Sequence, residues 1–198
     1  MDAPRETRAR DLDRAEVPGS ATSTTRATRS DEVDRIVAAW NRERPDLDVG
    51  PLEVLSRVAR LTRHLDRARR GVFAAHRLEH WEFDVLVALR RAGAPYQLSP
   101  GALIQQTLVT SGTMTNRIDR LEARGLVERH RSAEDRRGVI VRLTADGLAL
   151  VDSAFAALLA EENELLSDLD PAGRAQLATL LRVVLAHFDD AEGPARAT

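Results

Sequence analysis

Residues 110–143 read TSGTMTNRIDRLEARGLVERHRSAEDRRGVIVRL. Their first half predicts a helix. Met114, Ile118 and Leu121 recur at i, i+4 and i+7 on one apolar stripe, and Thr110 or Ser111 can cap the start. Gly125 ends the helix as a C′ residue. Residues 126–129 then read as a short strand, followed by a charged turn with Gly138 and a second strand at 139–143. In that strand Val139, Val141 and Leu143 alternate with Ile140 and Arg142, the period of a half-buried strand. Helix, strand, basic loop, strand is the order of a winged helix.

Working outward, the segment Ser99-Pro100-Gly101-Ala102-Leu103-Ile104-Gln105-Gln106 predicts a short helix with Ser99 as N-cap and Pro100 in the first turn. A few residues around Leu108 and Val109 join it to the next helix. Such a helix-turn-helix places its second helix in the major groove of DNA. On a helical wheel, Thr113, Asn116 and Arg120 lie opposite the apolar stripe, with Ser111 and Thr115 at the margins. These side chains can read base edges: Arg bonds guanine, Asn bonds adenine, and Thr touches a thymine methyl. A solvated polar face has the same composition, so the preceding helix carries the argument. The wing holds Arg131, Asp135, Arg136 and Arg137, and an Arg at its tip suits the narrow, electronegative minor groove. An ordinary exposed hairpin remains the plain alternative.

The charge is uneven along the chain. Residues 97–143 hold eight Arg and five acidic residues, a balance of +3; residues 144–198 hold three Arg and ten acidic residues, a balance of −7. Local field rather than the net charge of −2 attracts phosphate. There is no Cys, which excludes disulfides and Cys-ligated metals. No apolar run approaches a membrane span and the start lacks the apolar core of a signal peptide, so a cytoplasmic location is expected.

In chain order, residues 1–29 are polar and charge-balanced and predict a disordered tail. Ser30 starts a helix in which Val33, Ile36, Val37 and Trp40 form the buried stripe, and Arg44-Pro45 stops it. Pro51 opens a longer helix to about residue 75, with Leu52, Leu55, Val58, Leu61 and Leu65 on its apolar face. A third, at residues 79–91, turns Trp81, Val85, Leu86 and Leu89 inward. Asp84 sits beside them and needs a partner if it is half-buried. After the wing, Thr144 caps a long helix with Leu148, Val151, Phe155, Leu158, Leu159, Leu165 and Leu166 on its apolar positions. Asp170-Pro171 opens the last helix, with Leu177, Leu180, Leu181, Val184, Leu185 and Phe188 inward. Terminal helices this apolar call for a partner subunit, and a twofold dimer matches a palindromic operator. The expected fold is thus mainly α with a small β-wing: a winged helix-turn-helix (76–143) between N-terminal extra and dimerisation helices (30–75) and C-terminal dimerisation helices (144–190), with a tail at 191–198.

The run LSPGALIQQTLVTSGTMTNRIDRLEARGLVERHRSAEDRRGVIVRLTADG resembles the MarR family of bacterial transcription regulators. Its most specific part is Asp135-Arg136-Arg137 followed by Val141-Arg142-Leu143-Thr144 and Gly147, the wing signature of that family. The resemblance makes Arg136 and Arg137 DNA contacts and Asp135 a stabiliser of the wing. The segment Trp40-Asn41-Arg42-Glu43-Arg44-Pro45-Asp46-Leu47-Asp48 on an extra N-terminal helix is similar to the urate-responsive, PecS/HucR/MftR-like branch. That likeness implies a ligand site of Trp40, Asp84, Arg117 and Arg129, and a repressor released by a small anion such as urate or a related purine. A citrate- and aconitate-responsive subgroup shares the set. Arg117 lies about 40° from Thr113 on the wheel, at the border of the DNA face, where it could turn inward to Asp84. An anion captured by Arg117 and Arg129 would break that Asp84–Arg117 link.

Two other classes stay in view. A winged helix can serve protein assembly without any operator. An enzyme is not expected: the five His are scattered and the chain has no HExxH, GxSxG, P-loop or Rossmann glycines, and no cofactor is implied. His76 and His80 share an i, i+4 spacing but lack a third metal ligand. His64, on the helix expected to meet the partner, is a candidate pH sensor.

Overall fold

The computed structural model describes residues 30–131 and 138–189. Their elements run α1 (Glu32–Glu43), α2 (Gly50–Ala75), α3 (His80–Arg91), β1 (Gln97–Leu98), α4 (Pro100–Thr107), α5 (Ser111–Ala123), β2 (Val127–Arg131), β3 (Val139–Leu143), α6 (Ala145–Leu165) and α7 (Pro171–Asp189). The chain divides into two compact units, one up to Glu53 and one from Val54 onward, with the boundary inside the first turn of α2. The expected tails and the wing-tip residues Asp135, Arg136 and Arg137 lie outside the described residues.

In the first unit α1 is capped by Asp31 rather than Ser30. The Asp31 carboxylate accepts from the Asp34 N–H at 3.0 Å, while the Asp34 carboxylate accepts from the Asp31 N–H at 2.8 Å. The reciprocal pair satisfies two end donors, and its negative charge suits the helix dipole. Val33 and Val37 are buried as expected, but Trp40 is 48% exposed. Its stripe position is right; it stands in the last turn, past the buried valines, where too little of the described chain packs to enclose an indole.

The second unit is built on one core. Leu86 and Leu89 of α3, Leu103 of α4, Met114, Ile118 and Leu121 of α5, Val141 of β3 and Val151 of α6 are fully buried together. Each such side chain contributes about 1.5–3 kcal/mol by leaving water. The helix-turn-helix follows its caps. Ser99 accepts from the Ala102 N–H at 3.2 Å, Leu108 makes the turn in the left-handed region (φ 52°), and Thr110, not Ser111, caps α5.

The wing leaves α5 through Gly125 (φ +70°), a conformation that strains any residue with a Cβ. The sheet has three antiparallel strands in the order β1-β3-β2, not the two expected. Residues 97–98 add an edge strand opposite Arg142 and Val141, and the Gln97 side-chain oxygen accepts from Arg142 at 2.8 and 3.1 Å. At the exit Thr144 caps α6, accepting from the Gly147 N–H at 2.9 Å and donating to the Gly125 carbonyl at 2.7 Å. Gly147 is required here, because a Cβ would lie 2.0 Å from the Leu126 carbonyl oxygen.

The outer helices depart from their predicted burial. Leu180, Leu181, Val184, Leu185 and Phe188 of α7 were expected inward and lie exposed. So do Leu55, Val58 and Leu61 of α2 and Phe155, Leu159 and Leu165 of α6. Their apolar periodicity is real, but the described chain offers them no cover. No helix among the described residues is long and apolar enough to cross a membrane.

Candidate nucleic-acid interface and ligand residues

Helix α5 buries Met114, Ile118 and Leu121 and turns Ser111, Thr113, Thr115, Asn116 and Arg120 to solvent. All five are the predicted reading residues. They are not equally available. The Thr113 and Thr110 hydroxyls share a hydrogen bond of 2.9 Å, and the Thr115 hydroxyl donates to the Ser111 carbonyl at 3.1 Å. Both Thr side chains therefore present their methyl groups more freely than their hydroxyls. Asn116 makes no side-chain hydrogen bond within the described chain, so its full amide is open to a partner.

Arg120 is engaged. Its guanidinium donates to Glu79 at 2.9 Å and stands 4.7 Å from the centre of the Trp81 ring. The other Glu79 oxygen accepts from the Trp81 indole N–H at 2.6 Å. The indole N–H, and then Arg120, hold the Glu79 carboxyl below its ordinary range.

The predicted ligand residues are placed differently from the expected pairing. Arg117 does not reach Asp84; it lies 5.5 Å from the centre of the Trp81 ring. Asp84 faces His80 at 3.8 Å and is partly open to water. The carboxylate that needs an Arg is instead Glu82, buried at 3% exposed, bonded to Arg124, the C-cap of α5, at 2.5 Å and to the Glu79 N–H at 2.9 Å. Arg124 also donates to the Arg77 carbonyl at 3.0 Å. The reason is spacing: Glu82, Val85, Leu86 and Leu89 form the buried i, i+3, i+4, i+7 face of α3, and Asp84 falls off it. Trp81 is correspondingly half-buried, packed on the core by one part and facing the α5 cations by another.

Arg129 of β2 pairs with Asp119 and Glu122 of α5, and its own N–H donates to Glu122 at 3.2 Å. Partial burial works against its charge, but the two carboxylates more than offset this and raise the guanidinium above its ordinary value. Trp40 belongs to the first unit. Glu79, Trp81, Glu82 and Arg124 are the residues that sequence reasoning missed as partners of the recognition helix. The local signal was there: Glu82 sits at a stripe position of α3.

The histidines form no metal centre among the described residues. His76 is bonded to the Val72 carbonyl at 2.9 Å and to the Ser153 hydroxyl at 3.2 Å. His64 is exposed and lines a cavity of about 470 Å³ with Arg67, His76 and Glu161.

A cap-bounded helix-turn-helix, an exposed polar face on its second helix and a small antiparallel sheet are the parts of one known architecture. A MarR family model matches residues 78–138. The transcriptional regulator PecS of Dickeya dadantii is 38% identical over 157 residues, which cover 79% of this chain and 95% of PecS. The chain belongs to the MarR family. Its relatives are transcriptional regulators, not enzymes. Among solved structures, a point mutant of MarR from E. coli complexed with operator DNA matches 74% of this chain and 97% of its own, with 28% identity and a TM-score of 0.56. Bordetella bronchiseptica BpsR, whose DNA binding is regulated by 6-hydroxynicotinic acid, matches 65% of this chain and 98% of its own at 30% identity and a TM-score of 0.50. The MarR fold accounts for the mainly helical content and the small antiparallel sheet.

Proposed function

We propose that this MarR-family protein is a homodimeric transcriptional repressor that binds a palindromic operator and is released by a small anionic ligand such as urate. The observation that carries the proposal is the open polar face of α5, where Ser111, Thr113, Thr115, Asn116 and Arg120 all reach solvent behind a fully buried stripe. Arg136 and Arg137 are proposed to follow the minor groove from the wing, with Asp135 stabilising it. The operator complex of E. coli MarR supports the placement of this architecture on DNA.

The exposed apolar positions of α2, α6 and α7 support dimerisation, since a lone chain leaves them in water. In this reading residues 30–75 and 144–190 supply the dimer helices and residues 76–143 the reading head. A dimer would present two α5 helices to successive major grooves about 34 Å apart.

Trp40, Asp84, Arg117 and Arg129 remain the proposed ligand residues, with a revised coupling. Arg117 rests on Trp81 and Arg129 is held by Asp119 and Glu122 of α5. An anion that captures either cation must draw it from a contact that bears on α5. Such a ligand binds one orientation of the helix better than another, as release from DNA requires. The regulation of BpsR by 6-hydroxynicotinic acid supports a small planar acid as the ligand class; citrate and trans-aconitate are the non-aromatic alternatives.

The test is a gel shift with DNA from upstream of the protein's own gene, against a shuffled fragment, in the presence of urate, xanthine, citrate or trans-aconitate. Selective binding that one of these anions reverses is the expected result. No preference for the upstream fragment at physiological salt would leave the winged helix as a protein-assembly module.

A further inference from the structure

We infer that Glu79 and Trp81, at the start of α3, form a latch that holds Arg120 in the free protein and that DNA must open. Glu79 thereby sets the affinity of the recognition helix without touching DNA. The inference rests on the proposed role of Arg120 at the DNA face.

Its basis is a closed set of contacts. One Glu79 oxygen takes Arg120 at 2.9 Å and the other takes the Trp81 indole N–H at 2.6 Å. The Trp81 ring then lies under two cations of α5, Arg120 at 4.7 Å and Arg117 at 5.5 Å from its centre. The carboxylate fixes the ring, the ring attracts the cations through its electron-rich face, and the carboxylate neutralises one of them. Glu79 holds one Nη2 N–H of Arg120 and so competes with a bidentate approach of that guanidinium to a guanine. Both Arg120 and Glu79 are more than half exposed, so the pair is screened by water and exchangeable. It is a competitor and not a lock. Asn116, on the same face, has no such competitor among the described residues.

The other ion pairs around α5 make the assignment specific. Asp119 and Glu122 are taken by Arg129, and Glu82 by Arg124. Glu79 is thus the carboxylate on which a proposed reading side chain depends.

The test is a double-mutant cycle of Glu79→Gln and Arg120→Ala, read as affinity for the upstream DNA fragment at fixed salt. Gln keeps an acceptor for the Trp81 N–H but gives up the charge. Glu79→Gln should tighten binding about two- to five-fold in the Arg120 background, the range of an exposed ion pair. In the Arg120→Ala background the gain should be at least twofold smaller. Equal tightening in both backgrounds would mean simple charge repulsion and overturn the latch. Weakening by Glu79→Gln would mean that Glu79 orients Arg120 on DNA, and overturn it as well.

A second reading needs no DNA. The chain has two Trp and one Tyr, so Trp40→Phe leaves Trp81 as its one indole, which can be excited selectively over the Tyr. Glu79→Gln and Arg120→Ala should each shift its emission, because each changes a group in contact with the indole. Unchanged emission in both would sink the latch. Shifted emission in a protein with no preference for the upstream fragment would instead retain the contact and remove the DNA-binding role.

Discussion

Helix α5 is clamped on two sides by ion pairs of opposite polarity. Toward α3, the helix and its C-cap supply the cations: Arg120 to Glu79 and Arg124 to Glu82. Toward the wing, the helix supplies the acids: Asp119 and Glu122 to Arg129 of β2. The two clamps also differ in depth. Glu82 is 3% exposed, whereas Asp119 and Glu122 are 57% and 40% exposed. A buried carboxylate without its cation is costly, whereas an exposed pair is screened and cheap to exchange. The α3 side, with Glu82 beneath and Glu79 at the surface, therefore combines a fixed anchor with an exchangeable contact. On the wing side both acids are exposed and only Arg129 is partly buried, which suits a proposed ligand that must compete for that cation.

The largest expected effect breaks the deep anchor. Glu82→Ala leaves Arg124 with only the Arg77 carbonyl and the Glu79 N–H without its acceptor, and should cost about 3 kcal/mol, the low end for a buried pair because Arg124 is 35% exposed. Denaturant unfolding with an unchanged m-value checks it. A loss no greater than that of an exposed pair would erase the contrast in depth.

Next comes the proposed DNA face. Arg120→Ala should weaken binding to the upstream fragment by about 1–3 kcal/mol if Arg120 reaches a base edge. Stability should change little, since its partner Glu79 remains solvated. Operator titration beside thermal unfolding separates the two effects.

On the wing side, Arg129→Ala should cost less than about 1 kcal/mol of stability, because both of its partners stay solvated. Its effect should fall on the proposed ligand response, which is expected to vanish while DNA binding is largely kept. A ligand titration on labelled upstream DNA reads both. An unaltered response would detach Arg129 from the ligand set.

The smallest effect is that of acid on the surface contact. The Glu79 carboxyl is held below its ordinary value, first by the Trp81 N–H and then by Arg120. A depressed carboxyl contributes its stabilisation fully above its unfolded value and loses it as pH falls through the folded one. The contact should therefore persist unchanged at neutral pH and open only below the ordinary carboxylate range. Trp81 emission against pH in the Trp40→Phe background follows it, and a transition at or above that range would contradict the stated cause.

Much of this protein was legible as local pattern. Ser99, Thr110 and Thr144 cap their helices, Gly125 ends α5 in the left-handed region, and Val141 and Leu143 face the core as the alternation predicts. Each of these is settled within about one turn or one strand pair, so a single segment contains the whole cause. The exposed polar face of α5 follows from the same stripe.

The tertiary structure alone decided the partners. Asp84 lacks Arg117 and Glu82 holds Arg124, because the way α3 crosses α5 selects which residues meet across a gap of 42 positions. The edge strand β1 exists only because β3 offers it a free side, and two residues carry no periodicity of their own. Trp40 and the apolar stripe of α7 were correctly read as amphipathic, yet they are exposed. Periodicity fixes which face of a helix is apolar; what covers that face depends on the neighbours that the rest of the chain, or a second copy of it, brings within reach.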